Sequence, residues 1–183
     1  MQIVSYLVRL ICSINLLLGI IFSWFSLGIV LVCFSVVVLR YFFSTGFVWM
    51  QDLYVWLNGM MFMGIAGFTL LKNGHVRVDI FYREARVKTK ALVDMFGTVV
   101  FIGPFVYVLF YYGLPYVQRS WRFMEGSANF GGMPGLYILK SFLLVFAVVV
   151  ALQALAMFLR GVLVLADRED LLPESLRYHE GSI

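Results

Sequence analysis

The chain of 183 residues is 62% hydrophobic and only 13% charged, and its mean hydropathy is +0.93. Soluble domains carry about 25% charged residues, so this deficit predicts that lipid surrounds most of the chain. The formal net charge is +4, but the basic residues flank apolar runs, which is typical of membrane topology and not of a nucleic-acid surface. Composition therefore predicts an integral membrane protein with the lipid bilayer, and no nucleic acid, as its surroundings.

Four apolar segments without Asp, Glu, Lys, Arg or His are separated by polar stretches. About 20 apolar residues are enough to cross the hydrocarbon of a bilayer. The segments therefore predict four transmembrane helices, at about residues 10–39, 53–71, 95–117 and 141–159. The first is longer than the apolar region of a signal peptide, which has about 7–15 residues, so we expect it to be retained. The predicted fold is an all-α integral membrane protein, with residues 1–183 as one membrane domain.

A polar segment, residues 72–94, lies between the second and third predicted spans and carries six of the fourteen Lys and Arg residues. Apolar and polar residues alternate over 75–82, as in a strand, but an isolated strand edge is not tolerated in lipid. From Asp79 onward, the apolar residues can form one side of a helix and the basic residues the other. We predict an interfacial amphipathic segment that lies along the membrane surface.

Counting basic residues gives the expected orientation. The N-terminus, the 72–94 segment and the tail together hold ten Lys and Arg residues, whereas the opposite side holds four. The positive-inside rule then places both termini, the segment 72–94 and the tail 160–183 in the cytoplasm. The loop 118–134 is expected to face the other side. We expect the tail, which is charged and contains Pro173, to form a short surface helix or to be partly disordered.

Several residues of the spans leave alternatives open. Asp52 is expected near the first turn of the second helix, where it either stabilises the helix N-terminus or pairs with Arg40 across a short turn. The polar residues of the first span bond to their own helix or to a partner helix; they are Asn15, Ser23, Ser26 and Ser35. The alanines at 147, 151 and 154 form a small-residue stripe near Gln153 that fits packing within the bundle or against another subunit.

Backbone features of the second and third spans are also predicted. Gly59, Gly64 and Gly67 give the second helix small surfaces that allow close approach of a neighbour. Pro104 should kink the third span, because it lacks a backbone donor. We expect that span to end near Gly113 to Pro115.

The spans lack the chemistry of an autonomous carrier or an enzyme. Ion-coupled carriers normally keep an ionisable residue in the membrane, and none lies within the four spans. A haem-binding membrane subunit would need histidines in its helices, but the two histidines, His75 and His179, lie in the polar segment and the tail. His75 is best interpreted as solvated or bonded to backbone. Cys12 and Cys33 are about 31 Å apart on one helix and cannot pair. The sequence predicts a helper subunit without catalytic residues, metal or cofactor.

The segment Gly74–Tyr82, GHVRVDIFY, resembles the small membrane subunit, of the DctQ type, of tripartite ATP-independent periplasmic (TRAP) transporters. The resemblance covers nearly the whole chain. It includes Arg40-Tyr41, Phe47 to Trp49 and an acidic residue at 52, which is Asp here where the family pattern more often has Glu. The later matches are Trp121, Glu125, Ser127, Gly131 to Pro134, Lys140 and Gln153.

This resemblance implies a scaffold role in the bacterial inner membrane. In such systems a large (DctM-type) membrane subunit binds substrate and sodium, and a periplasmic (DctP-type) binding protein delivers an organic, typically carboxylate, solute. The small subunit braces the large one and offers a periplasmic surface. Arg77 and Asp79 would then orient the polar segment, and Glu125, Ser127 and Lys140 would shape the outward surface. Arg40, Asp52, His75 and Gln153 complete the candidate structural or partner-contact residues.

Two other functions fit the residues less well. A self-sufficient small carrier would need a carboxylate in a span, for which Asp52 and Asp94 are the only candidates nearby. A membrane anchor of an enzyme complex would share the apolar spans, and a cofactor-bearing anchor would show visible absorbance.

Overall fold

The computed structural model describes residues 1–72, 74 and 85–178, and within these ranges the chain is helical and has no strand. The helices are α1 Gln2–Phe42, α2 Val48–Gly64, α3 Ala66–Leu71, α4 Val87–Gly97, α5 Gly103–Arg122 and α6 Leu136–Leu165, with a π-helical turn at Thr98–Ile102 and 3₁₀ turns at Glu169–Leu171 and Glu174–Leu176. The predicted all-α class is confirmed. The predicted interfacial segment lies mostly outside the described residues.

Three helical stretches are long and apolar enough to cross a membrane. They are Gln2–Phe42, the continuous run Val87–Arg122, and Leu136–Leu165. The second predicted span, 53–71, is instead divided between α2 with 17 residues and α3 with 6, which meet at Ile65. Gly64 and Gly67 flank this junction, and each glycine costs a helix about 1 kcal/mol relative to alanine. The fourth membrane crossing therefore stays a prediction.

Helix α6 is the axis of the bundle, because it packs against α1, α2, α3, α4 and α5. Its buried residues extend from Ala147 to Val164. One apolar cluster joins Ala66 to Val149 and Val150 of α6. A second cluster joins Val8 and other residues of α1 to Leu163 of α6 and Leu172 beyond it. The outward sides of α1 and α5 expose large apolar side chains, as expected for surfaces in lipid.

Glycines allow α1 to approach the broken helix pair. A Cβ on Gly64 would collide with the ring of Phe22, and a Cβ on Gly67 would collide with the side chain of Asn15. The added atom at Gly67 would also lie 2.9 Å from the carbonyl oxygen of Val149 on α6. The small surfaces predicted for the second span are therefore confirmed at these two positions, where three helices meet.

The third predicted span contains a local change of helix type. Thr98–Ile102 is a π-helical turn, and the N–H of Gly103 bonds to the carbonyl of Thr98, five residues back. Pro104, which has no N–H, follows at the start of α5. A π-helical turn, a common cause of helix deflection, therefore lies immediately before Pro104, where a kink is predicted. The helix then continues through Pro115 to Arg122, beyond the expected end of the span.

The tail is packed onto the bundle. Residues 166–178, which we call the tail segment, follow the end of α6 at Leu165 and contain the two 3₁₀ turns. Leu172 is 1% exposed, and the carbonyl of Leu171 accepts hydrogen bonds from Ser5 Oγ at 2.6 Å and from Arg9 at 2.5 Å. The expectation of a surface helix or partial disorder is wrong for this segment, because its leucine completes the apolar cluster on α1.

Candidate functional site

The candidate residues lie in separate parts of the bundle. Four of them lie in or beside the loop of residues 123–135, which connects α5 to α6. Glu125 and Ser127 belong to this loop, whereas Asp52 lies on α2 and Lys140 on α6. Gln153 lies in the middle of α6, and Arg40 is exposed at the end of α1. His75, Arg77 and Asp79 lie outside the described residues.

The carboxylate of Asp52 is held by the loop. Its Oδ1 accepts a hydrogen bond from Asn129 Nδ2 at 2.9 Å, and its Oδ2 accepts one from the backbone N–H of Met133 at 2.9 Å. The hydroxyl of Ser127 is a third donor. The bonds from Ser127 and then Met133 hold the pKa of Asp52 below its usual range, because each favours the ionised form. Asp52 itself is only 7% exposed.

Neither of the two expectations for Asp52 matches this geometry. No ion pair joins Asp52 to Arg40 in the described part of the chain, and Arg40 is exposed. Helix α2 begins at Val48, so Asp52 lies beyond its first turn. Three donors from a loop about 80 residues away in sequence occupy the carboxylate instead. Both local interpretations are therefore wrong, because they considered only neighbours in sequence.

The glycines of the loop make room for Asp52. Gly131 has φ +72°, a left-handed conformation that favours glycine. At Gly132, a Cβ would collide with Asp52 Oδ2 and with the side chain of Ser127. Within the loop, the N–H of Ser127 donates to the carbonyl of Met133 at 3.0 Å, and the N–H of Gly132 donates to that of Asn129 at 2.9 Å. The glycine pair thus allows the backbone to close around the carboxylate.

Glu125 and Lys140 form a second fixed point of the loop. Glu125 Oε2 accepts a hydrogen bond from Ser120 Oγ at 2.7 Å and pairs with Lys140 Nζ at 2.6 Å. The bond from Lys140, and then the bond from Ser120, keep the pKa of Glu125 below its usual range. The ammonium of Lys140 also lies 4.3 Å from the ring centre of Tyr116. This group joins the end of α5 to the beginning of α6.

The fixed loop leaves large apolar side chains outside. Phe123 is 72% exposed, Met124 is 63% exposed, and Phe130 is fully exposed. Phe130 directly follows Asn129, which binds Asp52. An exposed apolar group on a well-anchored loop is typical of an interaction surface.

Gln153 lies in the middle of the bundle and binds another helix. Asn15 Nδ2 donates to Gln153 Oε1 at 2.8 Å, and both residues are nearly inaccessible. Ser23, Ser26 and Ser35 instead donate to carbonyls of α1 itself. Each of the two interpretations of these polar residues is therefore correct for part of the set. In the alanine stripe, Ala147 and Ala154 are buried within the bundle and Ala151 is half-buried.

A polar cluster at the tail end was not predicted. The hydroxyl of Tyr178 donates to Asp94 Oδ2 at 2.7 Å, and Arg160 lies 3.4 Å from the same oxygen and 4.0 Å from the Tyr178 ring centre. Burial raises the pKa of Tyr178, because it disfavours the charged phenolate. The charges of Asp94 and Arg160 at the ends of predicted spans were the available signal, but nothing local linked Asp94 to a tyrosine 84 residues away.

Comparison with known proteins identifies the family. The family model for the DctQ component of tripartite ATP-independent periplasmic transporters matches residues 29–164, about three quarters of the chain. No curated protein and no solved structure matches the chain. This family is a transporter component and not an enzyme family. Within the described residues, no group of three or more His, Cys, Asp or Glu side chains is placed to hold a metal ion. With its membrane-length helices and its loop anchored at both ends, the chain belongs to the DctQ family of TRAP transporter small membrane components.

Proposed function

We propose that the chain is a scaffold subunit that braces the large substrate- and sodium-binding membrane subunit of a TRAP transporter. The observation that carries this proposal is that the carboxylates near the spans are held in fixed contacts within the chain. Asp52 binds loop donors and Asp94 binds the tail segment, so each carboxylate contributes to the architecture. A coupling site needs an ionisable group that can release and rebind an ion during transport. Side chains committed to fixed contacts suit a static scaffold better.

The proposed transport reaction is ion-coupled uptake of an organic carboxylate in the bacterial inner membrane. The orientation with both termini in the cytoplasm is supported by the ten Lys and Arg residues of the N-terminus, the segment 72–94 and the tail, against four on the opposite side. The loop of residues 123–135 then faces the periplasm. Its anchored backbone and exposed Phe130 support a docking role towards the periplasmic binding protein.

The first test is purification of the chain, tagged at its C-terminus, from its own cells in mild detergent. We expect a large multi-span protein to co-elute at a near one-to-one ratio. Ala151→Leu, on the half-buried part of the alanine stripe, is the variant with which to begin mapping that interface. If the chain elutes alone and still moves solute in liposomes, the scaffold proposal fails and the self-sufficient carrier is supported.

A second test separates docking from assembly. Phe130→Ala should reduce solute uptake while the large subunit still co-purifies, because the proposed docking surface for the delivering protein loses its exposed ring and the anchored loop keeps its own contacts. Phe42→Ala is the matched control, since Phe42 is 82% exposed at the end of α1, which by the same orientation lies at the same side. Equal uptake by the two variants would contradict a docking role for the loop.

A further inference from the structure

A cavity of about 320 Å³ lies between α1, the end of α3 and the tail segment. We call it the tail cavity. Its polar lining includes Arg9, Ser13, Lys72 and Ser175, and its apolar lining includes Leu16 and Leu176. No element of the loop end contributes to it, so it is separate from the site of Asp52 and Glu125.

The tail cavity is positively charged and offers hydrogen-bond donors. Arg9 and Lys72 are its charged residues, and no carboxylate of the described chain lines it. The hydroxyls of Ser13 and Ser175 make no hydrogen bond within the described residues, so both are available to a ligand. Arg9 is held in place by its bond to the carbonyl of Leu171. Four donor side chains without a balancing acid predict an anionic ligand with several acceptor oxygens.

The polarity of the cavity changes along α1. Arg9 and Leu16 are seven residues apart, which corresponds to about 10 Å along a helix. Near Leu16 the surface of α1 exposes Ile14 and Leu17, at 40% and 58%. The cations therefore lie nearer the chain terminus, and the apolar part continues into the surface that faces lipid. A small soluble anion would use only the first part, whereas a lipid matches both.

We propose that the tail cavity binds an acidic phospholipid. Arg9 and Lys72 contact the phosphate, Ser13 and Ser175 donate to the headgroup, and the first acyl carbons lie along Leu16 and Leu176. Basic pockets between membrane helices are a recurrent site for such headgroups. Arg9 lies on α1, Lys72 at the end of α3 and Ser175 in the tail segment, so the lipid joins these three elements. This inference does not rest on the transport role, because binding is a property of this chain alone.

The test uses the full-length chain in mild detergent and follows its thermal unfolding. Phosphatidylglycerol should raise the unfolding temperature, whereas phosphatidylcholine at the same concentration and inorganic phosphate should not. Lys72→Gln should weaken the apparent affinity for phosphatidylglycerol about fivefold, the usual effect of one basic residue near anionic lipid. Lys72 is exposed, so the variant should fold normally.

The matched control is Lys88→Gln, which removes the same charge outside the cavity, where Lys88 pairs with Asp167 at 2.7 Å. Its affinity for phosphatidylglycerol should equal that of the unchanged chain. Equal losses in both lysine variants would reduce the effect to surface charge and overturn the proposal. An equal rise of the unfolding temperature with inorganic phosphate would show a site for a free anion. An equal rise with phosphatidylcholine would show that binding does not require an acidic headgroup. Either result also overturns the proposal.

Discussion

The two ends of the bundle are closed by opposite means. At the loop end, the carboxylates of Asp52 and Glu125 accept hydrogen bonds from loop and helix donors, while Phe130 points away from the protein. At the tail end, Leu172 is buried in the apolar cluster on α1, and Tyr178 caps the polar pair of Asp94 and Arg160.

The difference agrees with the proposed docking role of the loop end. At the loop end, polar contacts fix the backbone, and the large apolar side chains stay exposed. The exposed apolar surface is therefore held in a fixed position. The tail end uses its apolar side chain internally, so the tail segment is held by the hydrophobic effect as well as by hydrogen bonds. Three sets of variants and a change of pH test this contrast.

The largest expected effect is at the tail end. Leu172→Ala removes a side chain that is 1% exposed, and such core truncations cost about 2–5 kcal/mol. The tail segment should become sensitive to protease, and the thermal unfolding temperature should fall. Leu17→Ala, at a position 58% exposed on α1, is the control and should leave both unchanged. A protease-resistant tail in Leu172→Ala would show that its polar contacts are sufficient.

At the loop end, Asp52→Ala should cost roughly 1.5–3 kcal/mol, because hydrogen bonds to a charged acceptor are lost and their donors are left without a partner. The effect should be local, with faster proteolysis between residues 123 and 135 and an unchanged tail. Asp167→Ala is the control, since its ion pair with Lys88 is exposed and worth about 0–1 kcal/mol. If the loop is equally resistant in both variants, Asp52 does not hold it.

In the middle of the bundle, the uncharged side chains of Asn15 and Gln153 form a hydrogen bond, and its loss should lower the stability less than the two changes above. Asn15→Leu removes the donor to Gln153 Oε1 and should cost about 0.6 kcal/mol, and at most about 1.7 kcal/mol, the average and the maximum measured for hydrogen bonds between membrane helices. Adding Gln153→Met should recover most of this loss, because neither buried polar group then remains. Unfolding temperatures of the single and double variants in detergent measure the loss and its recovery. A double variant less stable than the single one would contradict the pairing.

The smallest effect is expected from pH. Asp52 and Glu125 have lowered pKa values in the folded chain, so their contribution to loop anchoring is complete above the ordinary carboxyl pKa and is lost as pH falls through the lowered values. The raised pKa of Tyr178 acts in the other direction, since its contribution is present below the ordinary phenol pKa and is lost only as pH rises through the raised value.

Proteolysis of the intact chain between about pH 7 and pH 3 measures this difference, because ordinary carboxyl groups titrate at about pH 4. The loop should open on acidification before the tail segment does. Asp52→Asn should remove part of this pH dependence. Simultaneous opening of both ends would indicate general unfolding instead of local titration.

The comparison also shows how far local sequence patterns reach. The glycine surfaces at Gly64 and Gly67 could be predicted, because each depends on the absence of a side chain at a single residue. The partner of Asp52 could not, because an acidic side chain is compatible with many donors and the chain topology decides which come near. The hydrogen bond from Tyr178 to Asp94 could not be predicted for the same reason, because a tyrosine hydroxyl can donate to many acceptors.

The sequence alone determined the membrane setting, the helical class and the family. These follow from apolar runs and local motifs, whose physical meaning does not depend on distant residues. Three features became visible in the folded chain alone: the division of the second apolar run at Ile65, the closure of the loop around Asp52, and the packing of the tail segment into the core beside α1. These features arise from contacts between residues far apart in the chain, where packing and satisfaction of buried polar groups select one arrangement among many that the local pattern allows.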